Sequence, residues 1–376
     1  MPTVSVIIPT YNRPMLLLQA LDSVLHQTYN DLEVIIVDDG SCEETHLSNA
    51  KSLQLDDRVR YMYRKENRGL AAARNEGIRA ASGLYVAFLD DDDVWLPNML
   101  EQQVQFISSH EPLTVVCCDF GHINSNGRIL NHFHISDSHR EMKRLIKSKR
   151  DLLKRDSGGK SWYLIEPEAL CKILLCYCPI HLSSAVIVKR ECLVNVGLFD
   201  ESLPTCEDWD MLIRLAFRYN FGYVDEVLAY YRAHSQHRLT DNLKLVSAGH
   251  LRLFDKIYLA VPDRFRDHLH AHAHQLYFRI IYLHLTQGDF SAAEPIIYTL
   301  AQRGGVRAIL HLIAKLVVSS PLTAVQSFVR PINESGRKAA VRLALRQLIK
   351  ITFRYQELVG DRTHPKCTTS MIIPPG

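Results

Sequence analysis

The strongest constraint on the fold is an alternation of strand-like and helix-like segments in the first hundred residues. Short apolar segments rich in β-branched residues occur at residues 4–8, 33–37, 59–63 and 84–89. Between them, residues 15–26 and 69–81 have the apolar spacing of helices. This alternation predicts an α/β fold with an open, mixed but mostly parallel sheet that is flanked by helices.

Polar residues follow three of the strand-like segments. They are residues 9–12, the pair Asp38 and Asp39, and the four aspartates of residues 90–93. Because the carboxyl ends of parallel strands meet at one edge of the sheet, we expect these groups to form a single site. At such a position Asp39 would hydrogen-bond a nucleobase or ribose; the alternative is a simple turn with Gly40.

The four consecutive aspartates of residues 90–93 are the sharpest motif in the chain. They follow the apolar segment 86–89, so they stand at the end of a buried strand rather than in a surface loop. Carboxylate oxygens are the ligands that Mg²⁺ and Mn²⁺ prefer. The motif therefore predicts a divalent cation site, and the alternative is a solvated acidic turn or a cap for the helix that starts near Pro97.

Two further acids, Glu207 and Asp208, stand beside Trp209 at the start of a segment with helical spacing, residues 207–219. A carboxylate in this position is a candidate general base for deprotonating an acceptor hydroxyl. The alternative is that the two acids only cap the helix and complement its dipole.

Two cations and a histidine accompany these acids. Arg74 lies on the helix-like segment 69–81, where it would contact a nucleotide, brace the acidic turn or remain a surface cation. Arg232 ends a last strand-like segment at residues 227–232, and His234 follows it. There Arg232 would offset phosphate charge, and His234 would contact a metal or a diphosphate, although a structural role is the commoner one for a histidine.

Composition excludes some classes of protein. With 376 residues, of which 47% are hydrophobic and 23% charged, the chain is long enough for one large α/β domain and a smaller one. The net charge of +3 gives no indication of a nucleic-acid partner. Nine scattered cysteines, with no leader-like start and no long apolar stretch, predict a cytoplasmic protein.

The pattern along the chain predicts a catalytic α/β domain at residues 1–240, a helical region at residues 241–360 and a disordered tail at residues 361–376. A basic stretch at residues 138–160 predicts an insertion over the site. Residues 301–356 contain ten Lys or Arg residues and a single acid, Glu334. These basic helices would contact an anionic membrane surface, on its inner face, or would form a solvated face packed on the catalytic domain.

The motifs, in this order and spacing, resemble glycosyltransferase family 2, a large inverting class with the GT-A fold. The resemblance covers about residues 4–234. The segments that carry it are residues 6–13, 37–41, 67–75, 88–93, 197–201 and 207–209. It implies transfer of a sugar from a nucleotide sugar, with UDP as the expected nucleotide, to a glycan or lipid-linked acceptor in surface polysaccharide assembly.

The resemblance also implies roles for individual residues. It implies a nucleotide-sugar site made of Pro9, Thr10, Tyr11, Asn12, Asp39, Asn67, Arg74, Asp90 and Asp91. It implies Asp92 and His234 as ligands of Mg²⁺ or Mn²⁺, Asp208 as the general base, and Glu207 and Trp209 on the acceptor side. The chain lacks the QxxRW motif of processive synthases, which favours a single transfer per encounter.

Two other functions remain open at this stage. A nucleotidyltransferase uses a similar sheet and metal, but its first loop is usually rich in glycine and contains a lysine, and residues 9–12 contain neither. A non-catalytic nucleotide-sugar-binding protein is the second alternative. The acids at Asp92 and Asp208 argue against it.

Overall fold

A computed structural model describes residues 2–52, 56–133, 154–155, 161–180, 182–233, 242–286 and 290–318. The chain divides into two compact units, Met1–Val261 and Pro262–Gly376. Helix Leu243–Ala260 belongs to the first unit, although it follows the boundary predicted at residue 240. The predicted tail at residues 361–376 lies outside the described residues, as does most of the predicted insertion at residues 138–160.

The described strands all belong to one sheet. They are β1 (Val4–Thr10), β2 (Leu32–Asp38), β3 (Val59–Tyr63), β4 (Tyr85–Phe88), β5 (Val94–Trp95), β6 (Leu113–Asn124), β7 (Ile129–Phe133), β8 (Lys154–Arg155), β9 (Ser161–Ile165), β10 (Val186–Lys189) and β11 (Asn220–Ala233).

The helices of the first unit surround this sheet. They are α1 (Pro14–Leu25), α2 (Glu43–Ser52), α3 (Leu70–Ala80), α4 (Met99–Ser109), α5 (Pro167–Leu174), α6 (Leu182–Ala185), α7 (Arg190–Asn195), α8 (Glu207–Ala216) and α9 (Leu243–Ala260).

The sheet is mixed but mostly parallel, which confirms the predicted fold class. Its strand order is β3-β2-β1-β4-β10-β6-β11-β9-β8, with β5 paired to β11 and β7 paired to β6. Strands β1 to β4 are parallel, and β6 is parallel to β11. Strand β10 runs antiparallel to both β4 and β6 and joins the two parallel groups. The carboxyl ends of β1, β2 and β4 consequently meet at one edge.

Alternate side chains of β1 explain why helices cover both faces. Val6 and Ile8 belong to the core that includes residues of α1 and α4. Ile7 points to the other face, towards α3, where a Cβ on Gly77 would approach Ile7 Cγ2 within 2.4 Å. Glycine at position 77 therefore lets α3 lie close to the sheet and brings its N-terminal end to the edge where β1 and β2 end.

Helix α2 and the first half of β11 are among the parts of the fold that were not evident from the sequence. Helix α2 is polar along most of its length, so it lacks the apolar periodicity that predicts a helix. Strand β11 starts at Asn220, seven residues before the predicted start. Its pairing with β6 shifts register between Val224 and Val227, and the polar residues at this irregularity interrupt the alternation of a strand.

The second unit contains the helices α10 (Arg266–Thr286) and α11 (Phe290–Val318), which confirms a helical C-terminal region. They pack closely at Gly304, where an added Cβ would lie 3.0 Å from the Ala273 Cβ. Of the described helices, none is both long and apolar enough to span a bilayer. The basic residues beyond position 318 lie outside the described part of the chain.

Candidate active site

The acidic turn of residues 90–93 is tied to the loop after β1. Asp91 is buried, and its carboxylate accepts hydrogen bonds from Thr10 Oγ1 at 2.7 Å and from Arg13 Nη1 at 3.1 Å. Arg13 Nη1 also donates to Asp92 Oδ2 at 2.9 Å. Burial and the neighbouring charge of Asp92 raise the pKa of Asp91 to about 7 against the effect of Arg13. The two strand ends thus form one structure, as their topology predicted.

Asp93 connects the acidic turn to the rest of the protein. Its carboxylate is fully buried and accepts hydrogen bonds from Ser184 Oγ at 2.5 Å and from the backbone amide of Arg232 at 3.0 Å. Burial, reinforced by the charge of Asp92, raises the pKa of Asp93 well above its ordinary range. Because each oxygen has a donor, Asp93 connects the acidic turn to helix α6 and to strand β11.

Arg232 fixes the backbone of the turn. Its guanidinium is buried and donates to the Asp92 carbonyl oxygen at 2.8 Å, to the Ser125 carbonyl oxygen at 3.1 Å and to Gln19 Oε1 at 2.9 Å. These donors are turned to acceptors of the protein itself, and the offset of phosphate charge by Arg232 stays a prediction.

Arg74 bridges the acidic turn and the helix of the candidate base. Its Nη2 donates to Asp90 Oδ1 at 2.7 Å, and its Nη1 donates to Glu207 Oε1 at 2.6 Å. The side chain is 1% exposed, and its guanidinium carbon lies 5.5 Å from the centre of the Phe199 ring. Burial opposes the charge, but Asp90 and Glu207 outweigh it and raise the pKa of Arg74. Among the roles predicted for Arg74, the geometry supports the brace.

Helix α8 begins at Glu207, directly after a residue with left-handed backbone. The φ angle of Cys206 is 68°, a backbone conformation that residues other than glycine rarely adopt. Glu207 is buried against Arg74, and burial raises the pKa of Glu207 to about 7 although the Arg74 charge acts against it. The Asp208 carboxylate is only partly buried, and its Oδ1 accepts a hydrogen bond from the Trp209 amide at 2.8 Å.

Trp209 points into the protein. Its Nε1 donates to the Leu174 carbonyl oxygen at 2.7 Å, and its ring meets His250 and Phe254 of α9 edge to face. The residue is 8% exposed. Of the three residues predicted around the acceptor, Asp208 is therefore the most accessible to a substrate, and Glu207 and Trp209 hold the helix in place.

Helix α9 holds α8 through polar contacts as well. Lys256 Nζ lies 2.7 Å from Asp210 Oδ1 and 2.8 Å from Asp200 Oδ2. His250 Nδ1 lies 3.3 Å from Cys206 Sγ, at the first turn of α8. These contacts, more than 40 positions apart in sequence, make α9 part of the frame of the candidate base.

The loops after β1 and β2 form the predicted nucleotide side. The Asn12 amide donates to Ser41 Oγ, and Asn12 Oδ1 accepts from the Cys42 amide, both at 2.8 Å. Asp39 accepts from the backbone amides of Arg68 and Gly69 at 3.0 and 2.7 Å. Both oxygens of Asp39 thus shape the start of α3, in addition to any contact with a ligand.

Gly40 and two exposed side chains complete this side. Gly40 has a φ of 83°, and an added Cβ would come within 2.7 Å of the Asn67 amide nitrogen. Tyr11 is 48% exposed and Asn67 is also exposed, so both are accessible to a ligand. Pro9, in contrast, is a buried residue of β1 that pairs with Val37 of β2.

The donor atoms of the acidic turn fit a hard divalent cation. In the part of the chain that the structure describes, no group of three or more His, Cys, Asp or Glu side chains is arranged to hold a metal by itself. Mg²⁺ and Mn²⁺ usually keep waters and take phosphate oxygens, so one or two carboxylates such as those of Asp91 and Asp92 suffice. The predicted ligand His234 lies outside the described residues.

Ser184, Lys256, His250 and Arg13 are among the residues of this region that were not on the predicted list of site residues. Ser184, Lys256 and His250 act across long sequence separations and leave no local signal. Arg13 lies in the segment 6–13 that carries the resemblance. A cation just after a strand end, at the edge where the acids were expected, is the pattern that could have identified it.

Comparisons with known proteins agree with this geometry. The chain matches a model described as glycosyl transferase family 2 over residues 5–168, and one described as glycosyltransferase like family 2 over residues 141–255. A glycosyltransferase of Rickettsia bellii is 32% identical over 237 residues, which are 62% of this chain and 30% of that protein. The putative teichuronic acid biosynthesis glycosyltransferase TuaG of Bacillus subtilis is 42% identical over 106 residues, 28% of this chain and 42% of TuaG. The chain thus spans less than half the length of these two relatives.

Two solved structures share the fold. Staphylococcus aureus TarS 1-349, in complex with UDP-GlcNAc, aligns with a TM-score of 0.59 at 18% identity, covering 95% of this chain and 92% of that one. The Pyrobaculum calidifontis mannosyltransferase PcManGT, in complex with GDP-Man and Mn²⁺, aligns with a TM-score of 0.54 at 19% identity, covering 94% and 87%.

The family models and the named relatives are glycosyltransferases, which favours this class over the nucleotidyltransferase alternative. The alternation of strands and helices, the acidic turn after β4 and the acids that open α8 are all in the order that the resemblance required. The two family matches assign residues 5–255 of the chain to the family 2 type of glycosyltransferase, and the fold is the GT-A fold.

Proposed function

We propose that this protein is an inverting glycosyltransferase that moves a sugar from a nucleoside-diphosphate sugar to an acceptor hydroxyl. The observation that supports this most directly is the bridge made by Arg74, with Asp90 on one side at 2.7 Å and Glu207 on the other at 2.6 Å. The bridge brings the acidic turn next to the helix of the candidate base. Leaving-group and acceptor chemistry are then possible at one place.

The nucleotide side of the proposal rests on the loops after β1 and β2. Tyr11 and Asn67 offer accessible side chains, and Asn12 and Asp39 hold the backbone of these loops through the hydrogen bonds given above. We assign the nucleoside to this surface. Thr10 positions Asp91, which together with Asp90 would face the ribose and the diphosphate.

A divalent cation, Mg²⁺ or Mn²⁺, would be held by Asp92, with His234 as a further proposed ligand. When bound, it would neutralise the charge that develops on the leaving nucleoside diphosphate. The Mn²⁺ in PcManGT, which shares only the fold, makes Mn²⁺ the first ion to test.

Asp208 is the proposed general base. Its Oδ1 is oriented by the Trp209 amide, and it lies in the first turn of α8. It would remove the proton from the acceptor hydroxyl while that oxygen attacks the anomeric carbon. The bond to the diphosphate breaks on the opposite face, so the configuration at this carbon inverts.

The names of the relatives support a proposal for the substrate class. TuaG is described as acting in teichuronic acid biosynthesis, and TarS is described in complex with UDP-GlcNAc. We therefore propose a UDP-sugar as donor and a glycan or lipid-linked acceptor in surface polysaccharide biosynthesis. Contact of the basic residues 301–356 with an anionic membrane stays a prediction, because most of them lie outside the described residues.

The test is release of nucleoside diphosphate from a panel of UDP- and GDP-sugars with Mn²⁺ or Mg²⁺. Asp208→Asn should lower turnover by about 10²- to 10⁴-fold, the range for a general base, with UDP binding kept. The matched control is Asp22→Asn, which neutralises a surface carboxylate that is 72% exposed. Near-normal turnover by Asp208→Asn would refute its role as base. UDP binding without turnover of any donor would favour the non-catalytic alternative.

A further inference from the structure

Arg13 occupies the space between the two aspartates to which the proposed function gives the cation and the diphosphate. One guanidinium nitrogen, Nη1, lies 2.9 Å from Asp92 Oδ2 and 3.1 Å from Asp91 Oδ1. The Arg13 side chain is 28% exposed, whereas those of Asp92 and Asp91 are 16% and 7% exposed. The guanidinium therefore lies on the solvent side of the two carboxylates, where an ion would enter.

The other two acids of the turn already have strong partners. Asp90 is paired with Arg74, and Asp93 is held by the Ser184 hydroxyl and the Arg232 amide. The pair Asp91 and Asp92 faces Arg13, whose charge offsets the repulsion between neighbouring carboxylates. Arg13 thus serves as the counter-ion of Asp91 and Asp92.

The position of Arg13 conflicts with a cation on Asp92. Oxygen ligands lie about 2.0–2.2 Å from Mg²⁺ or Mn²⁺, so an ion on Asp92 Oδ2 would lie within about 5 Å of Nη1. Like charges at that separation repel one another in a half-buried site. The Arg13 side chain can move away from the two carboxylates, because it is partly exposed and Arg13 is the residue directly before α1.

We propose that Arg13 is a resident counter-ion that an entering divalent cation displaces from Asp92, and that the displaced guanidinium then binds the donor diphosphate. The idea rests on the proposed function. It makes cation and nucleotide binding cooperative: the cation alone must displace Arg13 from its carboxylates, and the diphosphate gives Arg13 a new anionic partner. By linkage, the nucleotide must then tighten the cation as much as the cation tightens the nucleotide.

The experiment measures Mn²⁺ binding by the full chain, with free Mn²⁺ read from its electron paramagnetic resonance signal, with and without UDP. Without UDP, Arg13→Gln should bind Mn²⁺ about tenfold more tightly than the wild type, because an opposing unit charge is removed. Addition of UDP should tighten Mn²⁺ less in Arg13→Gln than in the wild type. The matched control is Arg58→Gln, which removes the same charge from a pair with Asp56 outside the site.

Each outcome decides a point. Arg13→Gln that binds Mn²⁺ no more tightly than Arg58→Gln overturns the proposal. Arg13→Lys, which keeps the charge, should bind Mn²⁺ within about twofold of the wild type; if it tightens as much as Arg13→Gln, displacement of charge is not the cause. Failure of the proposed function looks different. In that case the wild type with UDP binds no Mn²⁺, or Asp92→Asn binds it equally well.

Discussion

The donor edge of the sheet and the helix of the candidate base are built in different ways. At the donor edge, neighbouring strand ends hold one another through short loops, as Thr10 holds Asp91. Helix α8 is instead held from outside, by Lys256 and His250 of α9 and by Arg74 of α3. Helix α9 lies beyond the sequence motifs at residues 4–234, although the second family match extends to residue 255.

The two regions therefore differ in where the contacts that hold them come from. Most donor-side groups follow the ends of β1, β2 and β4, so the pairing of these strands brings them together, and Ser184 and Arg232 add contacts only at Asp93. The position of Asp208 depends on contacts that come from two separate helices. We therefore expect changes at Arg74 to affect both regions, and changes in α9 to affect the base alone.

The largest effect is expected from Arg74→Met, which removes the bridge between the two regions. It leaves Asp90 and Glu207 without their buried counter-charge, which should lower the free energy of unfolding by about 3–5 kcal/mol. Urea unfolding measures this. Arg79→Met, at an exposed position of the same helix, is the control. A loss below about 1 kcal/mol would show that the regions are joined in another way.

Next in size is a pH effect at Glu207. Its pKa in the folded protein, about 7, is above the value of about 4.3 expected in the unfolded chain. The folded state therefore binds an extra proton between these values, and the free energy of unfolding should fall as pH rises through this window. Glu207→Gln should remove up to about 1.4 kcal/mol per pH unit of this slope. Unfolding at pH 5, 6 and 7 tests it, with Glu201→Gln as control; equal slopes in all three proteins would contradict the prediction.

A smaller effect, on kcat but not on UDP binding, is expected from Lys256→Met in α9. Lys256→Met removes the ammonium that contacts Asp210 and Asp200, and Arg214 stays on Asp210 at 2.7 Å. We expect kcat to fall about tenfold through misplacement of α8, with the Kd for UDP unchanged. Lys244→Met, at an exposed position of the same helix, should leave both constants unchanged. A weaker UDP affinity in Lys256→Met would contradict the prediction that changes in α9 affect the base alone.

The smallest effect concerns Asp200. Its pKa is lowered to about 2 by hydrogen bonds from Lys256 and Ser202, which outweigh the effect of burial. A lowered pKa stabilises the fold above the unfolded value of about 3.9, and the gain is lost as pH falls towards 2. Because the pair is partly exposed, Asp200→Asn should cost less than about 1 kcal/mol at pH 7 and much less at pH 2. Acid unfolding curves that differ equally at both pH values would argue against this pair.

The sequence predicted the donor edge well because its signals are local. Buried strands, helical periodicity and the polar residues after them are readable within a few positions, as for residues 4–12 and 84–93. It could not divide the roles of four consecutive aspartates, which are chemically identical. Their roles differ only because partners from distant parts of the chain, such as Ser184 for Asp93 and Arg74 for Asp90, reach each from another direction.

The same reason explains what was missed around the base. Arg74 and Glu207 are separated by 133 positions, and no local pattern links them. Lys256 lies on a helix whose sequence shows only an ordinary amphipathic pattern. Trp209 is buried because α9 packs on α8. That contact cannot be seen in the local sequence, which led to the prediction that Trp209 lies on the acceptor side.

The antiparallel strand β10 has a consequence for synthesis of the protein. It pairs with β4 on one side and β6 on the other, yet it leaves the ribosome about a hundred residues after β4. Until then the nascent β4 has an open edge, and such edges invite pairing with other chains. A product truncated before Val186 would keep that edge permanently, so we expect it to aggregate even though most residues of the donor side are present.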